Sequence, residues 1–320
     1  LGKEAMDYLN PNEYLPVLGK EKINRETKIH WLPAHNYQTQ KSTLIPEDFI
    51  IYKTERKPIS QKLVNMSSNG HAVGNSYKEA VIFSLLEMYE RDYFLFHWYQ
   101  KRVPKEVNQA SIFDAEINYY LMLIKNLGYE VSIYQLLSSK VMNIYWTFAR
   151  GQNSNKFATY STAGAHLFGK SAIVSALKEL YFALYAYDQD VGDIQEKGHR
   201  MRPQDVTTVA DHAIYYSVED RSQNFDFLRE AEIIDFEVES DYSIDIDTYY
   251  SVLLEFTNQK FGNFYIVENT PIGLKEIGLC EVKVFAPGMQ DMNFGYENLY
   301  INYRRIQVSN YQEIPIHPFP

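Results

Sequence analysis

SSNGHAVGNSYKEAVIFSLLEMYERD, residues Ser67 to Asp92, couples a Ser/Asn/Gly-rich loop to a long helix carrying acids at Glu79, Glu87 and Glu90. The helix start is marked by Asn75 or Ser76 as cap, after Gly74 bends the chain. At about 100° per residue, Glu79, Phe83, Glu87, Glu90 and Phe94 share one stripe. Val81, Leu85, Met88, Tyr89 and Phe96 fall on the opposite stripe, which can face a core. Carboxylates three and four residues apart repel one another, so such a face either meets water or holds a cation. Hard oxygen donors at that spacing suit a Mg²⁺ ion held partly by substrate phosphates. Spacing alone leaves the solvated face and the cation site both open.

Working outward, 320 residues suffice for one large α/β domain or two small ones. A hydrophobic content of 45%, with 27 Tyr and 18 Phe, supports a sizeable core and excludes a disordered chain. The net charge of −10 and the lack of a basic run argue against nucleic acid as partner. One cysteine, Cys280, provides neither a disulfide framework nor a Cys-based zinc site and fits a reducing, cytoplasmic setting. No signal peptide and no membrane-length apolar run is found. The chain begins at Leu1 rather than Met, from which an upstream segment is expected.

Alternating helices and strands follow along the chain. Residues 29–35 and 42–53 read as short strands, and 77–101 as the long helix. DAEINYYLMLIKNLGYE is an amphipathic helix closed by Gly128 as C′ glycine. Strands are predicted over 129–136, 141–149 and 157–161, then a loop STAGAHLFGK and a helix over 170–187. A charged linker near 190–205 leads to shorter helices over 207–230. Strand 232–238, helix 246–260 and strands 263–269 and 279–286 complete the pattern. Trp31, Trp98 and Trp146 lie in apolar contexts and are assigned to the core. The expected fold is α/β (α+β), a single domain over 1–320 with a mixed, mainly antiparallel sheet and packed helices. No P-loop, dinucleotide fingerprint, HExxH or GxSxG competes for the function.

The loop–helix stretch 67–92 resembles the central motif of the YcaO family, Ser-Asn-Gly…Ala-Gly-Asn followed by Glu-x-x-Glu-Arg-Asp. A second unit, STAGAHLFGKSAIVSALKELYFALYAYDQD (161–190), is similar to the family's Ala-Leu-x-Arg-Ala-Leu-x-Glu-x-x-Gln helix through Ala172, Ala176, Leu177 and Glu179. It departs at Ser175, where Arg is usual, and at Phe182, where Gln is; Phe83 likewise replaces a polar residue. Residues 282–307, VKVFAPGMQDMNFGYENLYINYRRIQ, look like the family's Pro-Gly turn and Arg-rich strand. The sequence closes on PIHPFP, with Pro315, Pro318 and Pro320, a looser version of the proline-rich tail (308–320) of azoline-forming members. Nothing in residues 1–60 matches the family's Gly-Lys-Gly loop and Ser-Ala-x-x-Glu-x-x-Glu-Arg helix, so the domain is expected to be N-terminally incomplete.

The resemblance implies an ATP- and Mg²⁺-dependent cyclodehydratase that forms thiazoline or oxazoline rings in a ribosomal peptide precursor. It places Mg²⁺ on Glu87, Glu90 and Glu179. Ser68, Asn69, Asn75, Arg91, Arg304 and Arg305 become candidates for nucleotide contacts, although the Asn-Gly pairs also serve turns and the arginines also suit an acidic surface. Pro318, Pro320 and His317 become candidates for the catalytic tail, with His71 and His166 as further histidines in the motif segments. A leader-peptide-binding partner protein and a homodimer are also implied. Two alternatives stay open: a catalytically impaired scaffold, with Phe83 and Phe182 filling the nucleotide pocket, and a thioamide- or amidine-forming enzyme.

Overall fold

Ser76 begins the long helix: its Oγ accepts the Glu79 N–H (3.2 Å), while Glu79 Oε2 accepts from the N–H (2.5 Å) and Nδ2 (2.9 Å) of Asn75. This reciprocal cap satisfies donors that the first turn cannot pair internally. The structure is a computed structural model that describes residues 7–18, 20–24, 26–51, 63–64, 67–237, 243–308 and 314–320.

Among the described residues there are eight α-helices: α1 (Pro11–Tyr14), α2 (Tyr77–Gln100), α3 (Ala115–Asn126), α4 (Gly169–Tyr187), α5 (Val191–Arg200), α6 (Val209–Tyr215), α7 (Ile246–Phe261) and α8 (Ile272–Glu276). Ten strands accompany them. In chain order they are β1 (Trp31–Asn36), β2 (Lys41–Pro46), β3 (His71–Gly74), β4 (Lys105–Asn108), β5 (Tyr129–Ser138), β6 (Asn143–Gly151), β7 (Thr159–His166), β8 (Ile233–Asp235), β9 (Tyr265–Glu268) and β10 (Cys280–Phe285). Two compact units result. The first comprises the described parts of Leu1–Met88, Ser243–Asn293 and Tyr300–Gln307; the second those of Tyr89–Tyr242, Phe294–Leu299 and Val308–Pro320.

The first unit carries a fully antiparallel sheet in the order β2-β1-β9-β10-β3. One of its core clusters gathers Leu15, Ile45, Phe49, Tyr265 and Phe285, with the Phe49 and Phe285 rings stacked at 5.2 Å. The expected strand over 42–53 stops at Pro46 and turns into a 3₁₀ segment, Glu47–Phe49; its last two residues lie outside those described. Trp31 is half-exposed, edge-on to Tyr8, rather than a core residue.

The second unit carries the order β7-β6-β5-β4-β8, antiparallel except for the β4–β8 pair. Asp114 caps α3 through the N–H groups of Glu116 and Ile117, and Gly128 (φ +89) ends it as expected. STAGAH, expected as a loop, is the end of β7 instead. Its small residues let α4 lie against the sheet: a Cβ on Gly164 would sit 2.2 Å from the Ala172 carbonyl oxygen. Thr162 Oγ1 donates to the Ala176 carbonyl at 2.8 Å across the same contact. The expected charged linker near 190–205 is partly the helix α5. Val191, Ile194 and Gly198 recur there at helical spacing, and Gly198 approaches the Ile214 carbonyl of α6 closely.

The residues of α2 are buried almost all round, so the helix is a core element and not a two-faced surface helix. Phe94, expected on the acidic stripe, is fully buried against Trp146 and Phe319. Glu79, Phe83, Glu87 and Glu90 remain as its less buried line. None of the described helices is long and apolar enough to cross a membrane.

Candidate functional site

In the first unit the sequence Ser68-Asn69-Gly70-His71 makes a tight turn, closed by the His71 N–H donating to the Ser68 carbonyl at 2.9 Å. Gly70 has φ +69, and a Cβ there would meet Met88 Sδ and the Val284 carbonyl at 2.8 Å. Only glycine meets both demands. The turn is pinned on both sides of this residue. The Gly70 N–H donates to Glu87 Oε2 (2.7 Å), and its carbonyl accepts from Ser84 Oγ (2.5 Å) and the Val284 N–H (3.0 Å). Glu87 therefore orders the loop that precedes its own helix.

Around the turn lies a set of buried polar groups. The Lys283 ammonium, 1% exposed, donates to the Asn69 carbonyl, and Asn69 Nδ2 donates to Asp291 Oδ1 at 3.3 Å. Asp291 also accepts from the Tyr300 hydroxyl at 3.3 Å. Burying an ammonium and a carboxylate is expensive, and such groups concentrate at functional sites. Lys283 and Asp291 were invisible as site residues in the sequence, because one alternates within a strand and the other sits in an unpatterned loop.

Ser68 is exposed and, with His71, Val73, Asn269 and Glu281, lines a recess of about 380 Å³. His71 Nε2 faces the Ile50 carbonyl at 2.8 Å, and Nδ1 lies 3.6 Å from Glu281 Oε1. Burial, aided by the Lys283 charge, lowers the His71 pKa to about 4, and burial raises that of Glu281. Asn75 is exposed and engaged with Glu79 as part of the helix cap. Arg304 and Arg305 lie in a turn, not in the expected strand. Arg304 is exposed beside the Tyr303 ring and Arg305 stands 5.3 Å from the Phe261 ring. Asn302, whose carbonyl accepts the Arg305 N–H at 2.9 Å, shapes that turn.

In the second unit Glu90 Oε2 accepts the Ala165 N–H of β7 at 3.1 Å, which fixes the carboxylate to the segment preceding α4. Ser175, Glu179 and Phe182 share the exposed face of α4. The protein crowded around Glu179 raises its carboxyl pKa, and the Arg91 guanidinium opposes that rise. Arg91 and Glu179 are thus electrostatic neighbours. Phe83, 45% exposed, and Phe182, 63% exposed, project from their helices instead of filling the packed core of either unit. His166 Nδ1 accepts the Phe168 N–H at 3.1 Å and shapes the entry to α4.

The segment 314–320 is docked on the second unit. Ile316, His317, Pro318 and Phe319 are buried and Pro320 is half-exposed. The Phe319 ring meets Phe94 edge-on at 5.0 Å. His317 stacks on His212 of α6 at 4.1 Å. His212 carried no sequence signal, being one histidine in a short apolar helix.

Among the described residues, no three His, Cys, Asp or Glu side chains are gathered so as to hold a metal ion. Glu79, Glu87 and Glu90 of α2 instead accept backbone N–H groups. Glu87 and Glu90, one turn apart, carry the hard oxygen donors that Mg²⁺ takes as ligands.

A family model described as YcaO cyclodehydratase, ATP- and Mg²⁺-binding, matches residues 3–290. The E. coli microcin synthetase McbBCD complex with pro-MccB17 bound is similar in fold, with a TM-score of 0.67 and 14% identity over 97% of this chain and 78% of that one. A heterocyclase in complex with substrate and cofactor gives a TM-score of 0.66 and 19% identity over 84% of this chain. The chain spans only 34% of that heterocyclase. YcaO from Methanopyrus kandleri, bound with AMPPCP and Mg²⁺, gives 0.63 and 16% identity over 90% of this chain and 69% of that one. At these identities the three structures establish a common fold. No curated protein matches the sequence.

Proposed function

The chain belongs to the YcaO family, and we propose that it is an ATP-dependent cyclodehydratase forming thiazoline or oxazoline rings from Cys, Ser or Thr of a ribosomal peptide precursor. The observation that supports this reading is the docked proline-containing segment: Ile316 to Phe319 are buried in the second unit, and a proline-containing C-terminal tail is the feature that the azoline-forming resemblance singles out.

In the proposed reaction a side-chain thiol or hydroxyl attacks the preceding backbone carbonyl carbon. Bound ATP would supply the phosphoryl group that turns the carbonyl oxygen into a leaving group, and Mg²⁺ would offset the phosphate charge. The ring C=N bond forms as phosphate departs, so the peptide loses one water while ATP becomes ADP and phosphate. Glu87, Glu90 and Glu179 would hold the metal, directly or through water. Arg91, Arg304 and Arg305 would offset phosphate charge. Ser68 and Asn69 of the ordered turn would contact the nucleotide, with Asn75 at the helix start. A precursor peptide and a leader-binding partner protein complete the proposal; the E. coli relative is a complex with pro-MccB17 bound.

Calorimetric titration with Mg²⁺-ATP tests the nucleotide site. Heat from the wild type and none from Glu87→Gln/Glu90→Gln is the expected result. No heat from the wild type at millimolar Mg²⁺-ATP would overturn the assignment.

A further inference from the structure

A buried chain segment must pair its backbone polar groups. Pro315 and Pro318 have no N–H, so segment 314–320 enters the protein with carbonyls in excess of donors. Two side chains of the second unit supply donors to successive carbonyls. The Tyr216 hydroxyl donates to the Ile316 carbonyl at 2.7 Å. Nδ1 of His212 lies 2.8 Å from the His317 carbonyl.

The second nitrogen of His212 fixes the ring state. Nε2 accepts the Gly295 N–H at 3.1 Å, so it carries a lone pair, and Nδ1 carries the proton given to His317. His212 is fully buried; it stacks on the His317 ring, and Phe294 lies edge-on to both rings at 5.5 Å. One neutral tautomer thus joins three stretches of chain, α6, the Gly295 turn and the docked segment.

We propose that His212 is a positioning residue: it clips segment 316–319 in place and thereby sets where Pro318 and Pro320 stand for the reaction. The structural part of this inference stands on the geometry alone; its bearing on catalysis rests on the cyclodehydratase reading.

Hydrogen–deuterium exchange of the full chain, followed by mass spectrometry, separates the two parts. His212→Phe keeps a ring for stacking and loses both hydrogen bonds, whereas His212→Asn restores a donor near the Nδ1 position. Exchange of a peptide covering 314–320 is expected to accelerate roughly tenfold in His212→Phe, as loss of a buried hydrogen bond implies. It should recover in part in His212→Asn, with β5–β7 protection unchanged in both. Wild-type protection of 314–320 in His212→Phe would overturn the proposal. So would equal loss across β5–β7, which would make His212 an ordinary core residue. With a precursor peptide, His212→Phe is expected to lower kcat and leave KM for Mg²⁺-ATP unchanged. If exchange responds but the wild type forms no rings, the clip stands and the cyclodehydratase reading fails. If rings form at the wild-type rate in His212→Phe, the positioning role fails.

Discussion

Replacing Glu87 separates two roles that the geometry assigns to one carboxylate. Its Oε2 accepts the buried Gly70 N–H at 2.7 Å, at a residue held at φ +69. Hydrogen bonds to charged acceptors contribute about 1.5–3 kcal/mol, and stranding a buried donor costs about as much. Glu87→Ala strands the donor and is expected to lose about 2–3 kcal/mol. Glu87→Gln retains a neutral acceptor oxygen at the same reach and is expected to lose about 1 kcal/mol. Urea unfolding near neutral pH reads this difference, and Mg²⁺-ATP calorimetry reads the other role. A metal ligand needs the negative charge, so Glu87→Gln should lose nucleotide affinity as completely as Glu87→Ala. Equal destabilisation by both variants would refute the argument that the carboxylate anchors the turn. Wild-type Mg²⁺-ATP affinity in Glu87→Gln would refute the metal role and leave a purely structural glutamate.

Three further outcomes are expected. His71 and His212 are both lowered from 6.5 to about 4 by burial, so the unfolded chain binds the extra protons between those values. Their stabilisation is complete above about pH 6.5 and is lost as pH falls toward about 4, roughly 3 kcal/mol for His212 alone. Urea midpoints that stay level from neutral pH to about pH 4.5 would contradict this. Gly164→Ala drives a Cβ to 2.2 Å from the Ala172 carbonyl oxygen and should destabilise by about 3 kcal/mol, read as a lower thermal midpoint. Phe182→Gln, at a position 63% exposed, should move the urea midpoint by less than about 0.5 kcal/mol and tighten Mg²⁺-ATP binding. An unchanged affinity would place this face of α4 away from the nucleotide.

Most elements were legible because their punctuation is local. Ser76 and Glu79 mark the start of α2, Asp114 and Gly128 bracket α3, and alternation marks β5. The errors share a physical cause. STAGAH reads as a loop because Gly and Ala are poor strand formers, yet they are there to admit α4. Charges hid α5, whose buried Gly198 faces the α6 backbone. The motif acids stood out, but their hydrogen-bond partners, Gly70 and Ala165, lie 17 and 75 residues away in sequence. Lys283, Asp291 and His212 acquire meaning only through such distant partners, and no pattern within a short window can reveal those.

The pairing of β1 with β9 sets a schedule for synthesis. His35 faces Ile266, so the β1–β2 hairpin is made long before the strand that covers its other edge. Closing a loop of that length is slow, while β5, β6 and β7 can pair as they emerge. A nascent chain therefore carries an open strand edge while the residues between β1 and β9 are made, a template for association with other chains. Yield in cells should depend on translation rate and on chaperones that shield that edge, even for variants whose finished fold is fully stable.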